Sequence, residues 1–298
     1  MVTDSRLSDP GDFPSVVLLD TTNRCNLRCS FCGHRVMTRP QGKMAMPLFR
    51  KLIDEIAEKD CDTRVWMVFF GEALILRYQL FWQIHYAKYR GLHDVVLNTN
   101  GNLLDDDAAH ALIESGLNAI YIGIDAACPD TYNRLRVGGD YNRVVSNVEN
   151  LLDLKCKLGA AFPIVYVQFV VTDENHNEVE PFTRYWSARG ATVKIRPKVT
   201  WAGAVEPYKV NALARFPCYW AMRTVNIGWD GRVVLCSVDY DARFVAGDVN
   251  RDTIQSVWLG ALKGMRDAHV GEHYEKLPEF CQKCTDWQMA RAEYRNND

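Results

Sequence analysis

Short apolar runs alternate with amphipathic segments over roughly the first two hundred residues of the chain. A run of about four to eight apolar residues suits a buried strand, whereas apolar positions three and four apart indicate a helix. The runs predict six strands, at Ser15–Asp20, Arg64–Phe70, Asp94–Asn98, Asn118–Ile124, Pro163–Thr172 and Thr192–Arg196. The segments between them predict helices that begin at Pro47 and cover Leu80–Arg90, Asp105–Ser115, Tyr141–Leu158 and Glu178–Arg189. Regular alternation of strand and helix is typical of a parallel α/β sheet or barrel.

The pattern changes after this region. The segment Thr200–Phe216 has no clear period, and Thr224–Gly228 and Arg232–Ser237 then have the pattern of two hairpin strands joined by an Asp-Gly turn. A helix is predicted for Thr253–Ala268. The chain is therefore expected to divide into two domains, 13–200 and 201–298.

Composition and charge exclude several classes of protein. Hydrophobic residues make up 48% of the 298 residues, so the chain can bury a large core. It carries 35 basic and 37 acidic residues, and this near balance gives no basic field for binding nucleic acid. No apolar run approaches the ~18–20 residues of a membrane span. The polar start of the chain does not match a secretory signal, so we expect a cytoplasmic protein with no membrane partner.

Ten cysteines are present in this chain. Reductants keep cytosolic thiols reduced, so grouped cysteines there indicate metal binding before disulfides. Three cysteines form a set near the amino terminus, Cys25, Cys29 and Cys32. Four form a second set in the last third of the chain, Cys218, Cys236, Cys281 and Cys284. The other three stand alone, Cys61, Cys128 and Cys156.

The first set has the spacing C-x3-C-x2-C directly after the first predicted strand. Cysteine thiolates hold iron–sulfur clusters, and a four-iron cluster normally takes four of them. Three thiolates would therefore leave one iron open to a small molecule. The alternative is a tetrahedral zinc site, for which His34 could supply the fourth ligand.

This segment, with the aromatic Phe31 before the last cysteine, resembles the signature of the radical S-adenosylmethionine (radical SAM) superfamily. The resemblance implies that S-adenosylmethionine binds the open iron of a [4Fe–4S] cluster. Three strand ends resemble further motifs of the family, Phe70-Gly71-Glu72-Ala73, Asn98-Thr99-Asn100-Gly101 and Gly123-Ile124-Asp125-Ala126. The cofactor-binding residues implied are Phe31, Gly71, Glu72, Asn98, Asn100 and Asp125. Arg136 lies in a segment common in such barrels and is expected near the cofactor.

The second set resembles the SPASM/twitch extensions that follow radical SAM barrels. A full SPASM domain would carry another cysteine six residues after Cys284, where this chain has Ala290. The resemblance therefore implies the shorter twitch form, with one auxiliary [4Fe–4S] cluster held by four cysteines, against the alternative of a structural zinc. The fold implied is a partial (β/α)6 barrel followed by a small α+β domain.

Within the superfamily, the four-cysteine form resembles the butirosin-type inosamine dehydrogenases and related aminoglycoside- and nucleoside-modifying enzymes of antibiotic biosynthesis. This implies oxidation of a carbinol to a ketone on a small polyhydroxylated substrate (sugar, aminocyclitol or nucleoside), with the auxiliary cluster as electron acceptor. A flavodoxin or ferredoxin-type donor is expected to supply the reducing electron. A radical epimerase, a decarboxylase, a peptide-modifying maturase and a zinc-stapled binding protein are the alternatives.

A base is needed for such an oxidation. Lys194, Arg196 and Lys198 alternate along the sixth strand, so all three lie on one face. Lys198 and Arg196 are the predicted catalytic residues, as base or as anchors for the substrate, and the alternative is a solvated strand end. An epimerase would instead need a hydrogen donor such as Cys128, although Pro129 beside it favours a turn and isolated cysteines are usually small core residues.

Overall fold

The computed structural model describes residues 11–68, 70–206 and 215–288. Within them the strands are β1 Val16–Leu19, β2 Arg64–Trp66, β3 Val95–Thr99, β4 Ala119–Gly123, β5 Ile164–Val171, β6 Thr192–Pro197, β7 Thr224–Ile227, β8 Arg232–Val234 and β9 Val245–Asp248. The helices are α1 Met46–Lys59, α2 Tyr78–Tyr89, α3 Asp106–Glu114, α4 Pro129–Leu135, α5 Tyr141–Leu158, α6 Val179–Ser187, α7 Tyr219–Arg223, α8 Ile254–Leu259, α9 Ala261–Val270 and α10 Glu279–Lys283.

All nine strands belong to one sheet, in the order β6-β5-β4-β3-β2-β1-β7-β8-β9. Strands β1 to β6 run parallel, with helices between them, as the sequence pattern predicts. Strand β7 also pairs in parallel with β1, and β8 and β9 then continue the sheet in antiparallel fashion. The hairpin of the second region therefore extends the sheet of the first.

The two faces of the sheet differ in character. On one face, strand residues such as Val65, Ile120 and Val167 join the main core beneath the helices. The opposite face, called the inner face below, carries a separate cluster that includes Trp66 and Tyr121. Paired residues of neighbouring parallel strands point the same way, so the sheet register determines which side chains share the inner face.

Several predicted elements differ in extent from the observed ones. Strand β2 ends at Trp66 instead of Phe70, because the next carbonyl, that of Met67, accepts a hydrogen bond of 2.6 Å from the Thr21 hydroxyl. Phe69 itself lies outside the described residues. The helix predicted for Thr253–Ala268 is two helices, α8 and α9, separated where the backbone turns at Gly260.

Four elements were not predicted, namely α4, α7, β9 and α10. Helix α4 begins at Pro129, where a turn is expected from the sequence, because proline is well tolerated in the first turn of a helix. Helix α7 and strand β9 are short, and β9 pairs with β8 through an irregular register. The segment Thr200–Phe216 is described only in part, and Ala290 lies outside the described residues. Across the described ranges no helix is long and apolar enough to cross a membrane.

A buried ion pair joins the end of β1 to the second region. Asp20 is fully buried, and Arg39 donates to its Oδ2 at 2.9 Å while also donating through Nε to the Tyr240 carbonyl at 2.9 Å. Burial raises the pKa of Asp20 to about 6, although Arg39 acts in the opposite direction. Arg39 thus stabilises a carboxylate that the core would otherwise disfavour.

Replacing Arg39 with Met should lower the free energy of unfolding by about 3–5 kcal/mol, because it leaves the Asp20 carboxylate buried without its cation. The loss should shrink as the pH is lowered, since protonated Asp20 no longer needs a positive partner. Urea unfolding at several pH values measures both effects. Arg184, paired with Glu180 on the surface of α6, is the matched control, and its Met variant should cost about 0.5 kcal/mol or less. Equal losses in the two variants would contradict this prediction.

Candidate active site

The first cysteine set lies on the loop that follows β1. Cys29 is buried, and Cys25 and Cys32 are half-buried. The sulfurs of Cys25 and Cys32 each accept a backbone N–H at 3.4 Å, from Leu27 and His34 respectively. Backbone N–H groups aimed at cysteine sulfur are among the contacts that tune iron–sulfur clusters, so the loop already has the local geometry of a cluster-binding segment.

The three thiols also lie close enough to affect one another. The pKa of Cys25 is raised to about 11 and that of Cys32 to about 12, mainly by burial, and the charges of neighbouring cysteines contribute to both rises. Burial also raises the pKa of Cys29, which Arg136 partly offsets. Thiols of this kind become thiolates when a metal centre supplies the positive charge. The donor set of three clustered sulfurs therefore fits an iron–sulfur cluster with one open iron.

His34 does not complete a zinc site with these cysteines. Its Nε2 lies 2.9 Å from the Asn23 carbonyl oxygen, and its Nδ1 is buried without a partner in the described part of the chain. Over the described ranges, no three side chains of His, Cys, Asp or Glu converge as the ligands of a single metal ion do. The geometry thus gives no support to the zinc alternative at this loop.

The turn after β2 packs directly against the cysteine loop. Gly71 has φ +89°, and a Cβ there would lie 2.5 Å from the Arg24 carbonyl oxygen, so only glycine allows this approach. The next residue, Glu72, donates its N–H to the same carbonyl at 2.8 Å. Its buried carboxylate accepts from the Thr99 hydroxyl at 2.8 Å and from the Asn100 N–H at 2.7 Å. Burial raises the pKa of Glu72, and these hydrogen bonds lower it again.

The turn after β3 reaches the cysteine loop through a side chain. Asn100 donates from Nδ2 to the Asn26 Oδ1 at 2.8 Å, and Asn26 directly follows Cys25. Asn98, two residues earlier, lies on the inner face, and its Oδ1 is buried with no partner among the described residues. The two asparagines of this strand end therefore have different surroundings. Asn100 links the turn after β3 to the cysteine loop, whereas Asn98 lies on the inner face of the sheet.

Asp125, after β4, holds Arg136 over the cysteine loop. Asp125 is fully buried with φ +61°, accepts the Val170 N–H at 2.7 Å, and accepts from Arg136 Nε at 2.6 Å. Arg136 Nη1 lies 3.7 Å from Cys29 Sγ, and its guanidinium lies 5.4 Å from the centre of the Phe31 ring. A guanidinium beside a thiolate stabilises its negative charge, so Arg136 orients both Cys29 and Phe31.

Three buried carboxylates at this edge follow one rule. Asp20 after β1 accepts the N–H of Phe70 beyond β2, and Glu72 beyond β2 accepts the N–H of Asn100 beyond β3. Asp125 after β4 accepts the N–H of Val170 on β5 in the same way. Each carboxylate accepts a hydrogen bond from a backbone N–H of the neighbouring strand, at the point where the backbone hydrogen bonds between the two strands end. We call these three residues the rim carboxylates.

The second cysteine set converges from three parts of the chain. Cys218 precedes α7, Cys236 follows β8, and Cys281 and Cys284 lie in and after α10. All four line one small cavity of about 20 Å³. Burial raises the pKa of each of these thiols, to about 12 for Cys281 and Cys284. Four thiols around one cavity fit a fully ligated cluster.

The inner face carries an aromatic stack beside a lysine. The sequence predicted that the basic residues of the sixth strand share a face, but it did not predict the stack. Tyr121 stacks between Trp66 and Tyr166, with ring centres 5.1 and 4.5 Å apart. The Lys194 ammonium nitrogen lies 5.2 Å from the centre of the Tyr121 ring. Burial and, to a smaller extent, the nearby cations of Arg196 and Arg64 together lower the pKa of Lys194 to about 7.

The predicted catalytic residues stand beside this lysine. Arg196 lies two residues further along β6, and Lys198 lies just beyond the end of the strand. In the register, Lys194 pairs with Gln168, and Gln168 pairs with Gly123 directly before the β4 turn. The alternation of basic residues in β6 indicated a shared face, but burial of Lys194 depends on β4 and β5, which lie far away in sequence.

The chain combines a parallel α/β sheet, which has three cysteines after its first strand, with a small domain in which four cysteines line one cavity. Together these two features define a protein that holds two iron–sulfur clusters. A model described as the radical SAM superfamily matches residues 19–185, more than half of the chain. A SPASM model, described as an iron–sulfur cluster-binding domain, matches residues 218–285. The chain belongs to the radical SAM superfamily. Its cofactors are S-adenosylmethionine and two iron–sulfur clusters, as predicted.

Curated relatives share the first part of the chain. A tungsten-containing aldehyde ferredoxin oxidoreductase cofactor-modifying protein of Pyrococcus furiosus is 29% identical over 170 residues, which is 56% of this chain and 46% of the relative. A GTP 3′,8-cyclase of Hydrogenovibrio crunogenus is 27% identical over 180 residues, 59% of this chain and 52% of the relative. The match thus spans about half the length of these relatives.

Solved structures match the whole architecture at low identity. BtrN in complex with AdoMet and 2-DOIA has a TM-score of 0.65 at 16% identity and covers 93% of this chain and 95% of its own. Streptococcus suis SuiB bound to precursor peptide SuiA has a TM-score of 0.71 at 10% identity, covering 93% and 71%. Native anSMEcpe with bound AdoMet has a TM-score of 0.64 at 15% identity, covering 93% and 88%. These likenesses confirm the predicted fold class.

Iron content tests the two cysteine sets. After anaerobic purification, the protein should hold about eight irons per chain, and Cys29→Ala and Cys281→Ala should each retain about four. The matched control is Cys156→Ala, because Cys156 is exposed on α5 and should keep the full complement. Unchanged iron in either of the first two variants, or two zinc ions in a colourless protein, would refute the ligand assignment.

Proposed function

We propose that this protein is a dehydrogenase that oxidises a carbinol to a ketone on a small polyhydroxylated substrate bound at the inner face. The single observation that carries the proposal is a half-buried lysine with a near-neutral pKa beside several unpartnered polar atoms on that face. In this proposal the second cluster accepts the electron left by the oxidation. A flavodoxin or ferredoxin-type protein would supply the reducing electron at the first cluster.

The inner face has the chemistry of a site for hydroxyl or amino groups. Trp66 Nε1 and Gln168 Nε2 are buried donors, and Asn98 Oδ1 and Asn226 Oδ1 are buried acceptors, all without partners among the described residues. Buried polar atoms are nearly always hydrogen-bonded, so a set of four is expected to receive partners from a ligand. A sugar, aminocyclitol or nucleoside offers donors and acceptors of both kinds.

The strand-end residues are proposed to hold the cofactors. When bound, S-adenosylmethionine on the open-iron cluster supplies the 5′-deoxyadenosyl radical that removes a hydrogen atom from the substrate carbon. We assign the cluster to the first cysteine set and the cofactor contacts to Phe31, Gly71, Glu72, Asn98, Asn100 and Asp125. The rim carboxylates keep these turns in place, because each is tied to the backbone of a neighbouring strand.

Lys194 is the base that the geometry favours. A lysine with a pKa near 7 is partly neutral at physiological pH and can accept the hydroxyl proton of the carbinol. Arg196 cannot be deprotonated, so it serves as an anchor for an oxygen of the substrate. Lys198, beyond the end of β6, remains the alternative base at the rim. The aromatic stack of Trp66, Tyr121 and Tyr166 lies beneath Lys194 and excludes water from this side.

BtrN, an inosamine dehydrogenase of the radical SAM superfamily, supports the proposal through its likeness over nearly the full chain. The alternatives are epimerisation and decarboxylation. An epimerase would need a hydrogen donor such as Cys128, whose sulfur lies 3.6 Å from Glu178 Oε1 and 3.5 Å from the Thr131 hydroxyl, at the start of α4. Product analysis therefore has to separate these reactions.

Product analysis decides between these reactions. The reconstituted enzyme is incubated without oxygen with dithionite, S-adenosylmethionine and a panel of aminocyclitols, amino sugars and nucleosides. We expect 5′-deoxyadenosine together with a product that has lost two hydrogen atoms and reacts as a ketone. Deuterium entering the product carbon from heavy water would indicate epimerisation, and released carbon dioxide would indicate decarboxylation. Either outcome would overturn the dehydrogenase proposal.

The pH profile tests Lys194. Because the base must be neutral, kcat/KM should rise as the pH increases through about 7 and then level off. Lys194→Met should lower kcat by about 10²-fold or more and abolish this rise. Lys155→Met on α5 is the control, since that lysine lies on an outer helix, and it should keep the wild-type profile. If Lys198→Met loses the rise while Lys194→Met keeps it, the base is Lys198.

A further inference from the structure

One histidine in the second domain has no role in the features described so far. His269 lies on α9, its side chain is fully buried, and neither ring nitrogen has a hydrogen-bond partner among the described residues. An imidazole always carries at least one N–H donor. Leaving such a donor buried and unpaired carries a desolvation penalty that native folds almost always avoid. The described fold gives no compensation for this cost.

His269 lines the cavity that the four cysteines of the second set enclose. The other walls include Trp220, Val238, Phe280 and Trp287, so most of the lining is apolar or aromatic. Asp286 also lines the cavity, but its two carboxylate oxygens accept the N–H groups of Thr200 and Ala202. The acceptor for the imidazole is therefore expected from whatever occupies the cavity. The donor set of four thiols identifies that occupant as an iron–sulfur cluster, whose sulfurs accept hydrogen bonds.

Arg215 reinforces the same conclusion from another side of the cavity. Its Nη2 donates to the Cys281 carbonyl at 2.7 Å and its Nη1 to the Gln282 carbonyl at 3.0 Å, which fixes the cysteine-bearing turn. Its Nε is buried and has no partner among the described residues. Two different side chains thus bring unpartnered N–H groups to one cavity, and both point to an acceptor inside it.

We propose that His269 donates a hydrogen bond to a sulfur of the auxiliary cluster and raises the reduction potential of that cluster. Hydrogen bonds to cluster sulfur stabilise the extra negative charge of the reduced state, so they favour electron uptake. His269 is a positioning residue, because it acts through the cluster and touches no substrate. The proposal rests on the auxiliary cluster of the proposed function, but it does not require that the reaction be a dehydrogenation.

The experiment measures the midpoint potential of the auxiliary cluster by itself. Replacing Cys25, Cys29 and Cys32 with Ala removes the first cluster, and an anaerobic titration followed by electron paramagnetic resonance then reports the second. His269→Phe keeps an aromatic ring but lacks the N–H, and it should lower the potential. We expect at least a tenfold fall in the equilibrium constant for reduction, which is about 59 mV for one electron.

Two further variants separate a hydrogen bond from a packing effect. His269→Gln keeps an N–H donor and should hold the potential near that of the parent. His273→Phe changes an exposed histidine four residues along and should leave the potential unchanged. Should the Phe variant fail to load about four irons, His269→Met takes its place as the variant without a donor.

Equal potentials in the parent, the Gln variant and the variant without a donor would overturn the proposal. So would loss of iron from every His269 variant, because that pattern marks a cluster ligand. These outcomes are independent of the reaction catalysed. If the potential shifts as expected while no ketone forms, the dehydrogenase proposal fails and the role of His269 stands.

Discussion

The parallel pairing of β7 with β1 is the constraint on which the rest of the structure depends. Leu18 of β1 pairs with Trp66 on one side and with Asn226 of β7 on the other, so one short strand belongs to both regions of the chain. The first cysteine loop leaves from the end of β1, and the hairpin that leads to Cys236 begins with β7. The two cluster sites are therefore related through backbone hydrogen bonds of one sheet, and their separation follows from strand geometry.

Much of this arrangement was predictable because its signals are local. The alternation of apolar runs identified β1 to β6 and located most of their ends within a few residues. The spacing of Cys25, Cys29 and Cys32 predicted a cluster site, because a single loop carries all three cysteines. The motifs after β2, β3 and β4 were also local, and the structure brings their turns to the cysteine loop.

The remainder could not be predicted because it depends on contacts between distant segments. The helix break at Gly260 and the pairing of β9 with β8 are determined by packing within the second domain. The burial of Lys194 requires the stack of Tyr121 and Tyr166 from two other strands, which no single-strand pattern reveals. His269 lies just beyond the helix predicted for Thr253–Ala268, and no sequence pattern marks it. Only the fold shows that it lines the same cavity as the four cysteines and that its ring nitrogens lack partners among the described residues.

The rim carboxylates have a consequence for how such a protein can diversify. An ionised carboxylate can only accept hydrogen bonds, which suits a backbone N–H group. An amide in place of Asp20, Glu72 or Asp125 could instead turn its NH2 group toward that backbone donor, and the hydrogen bond would then be lost. Those positions are therefore closed to most substitutions, together with the glycine that lets the β2 turn approach the cysteine loop. The inner face has no such restriction, since its polar atoms are not committed to the scaffold. Under the proposed function, inner-face residues could change with the substrate while the rim carboxylates, which hold the strand-end turns in place, stay the same.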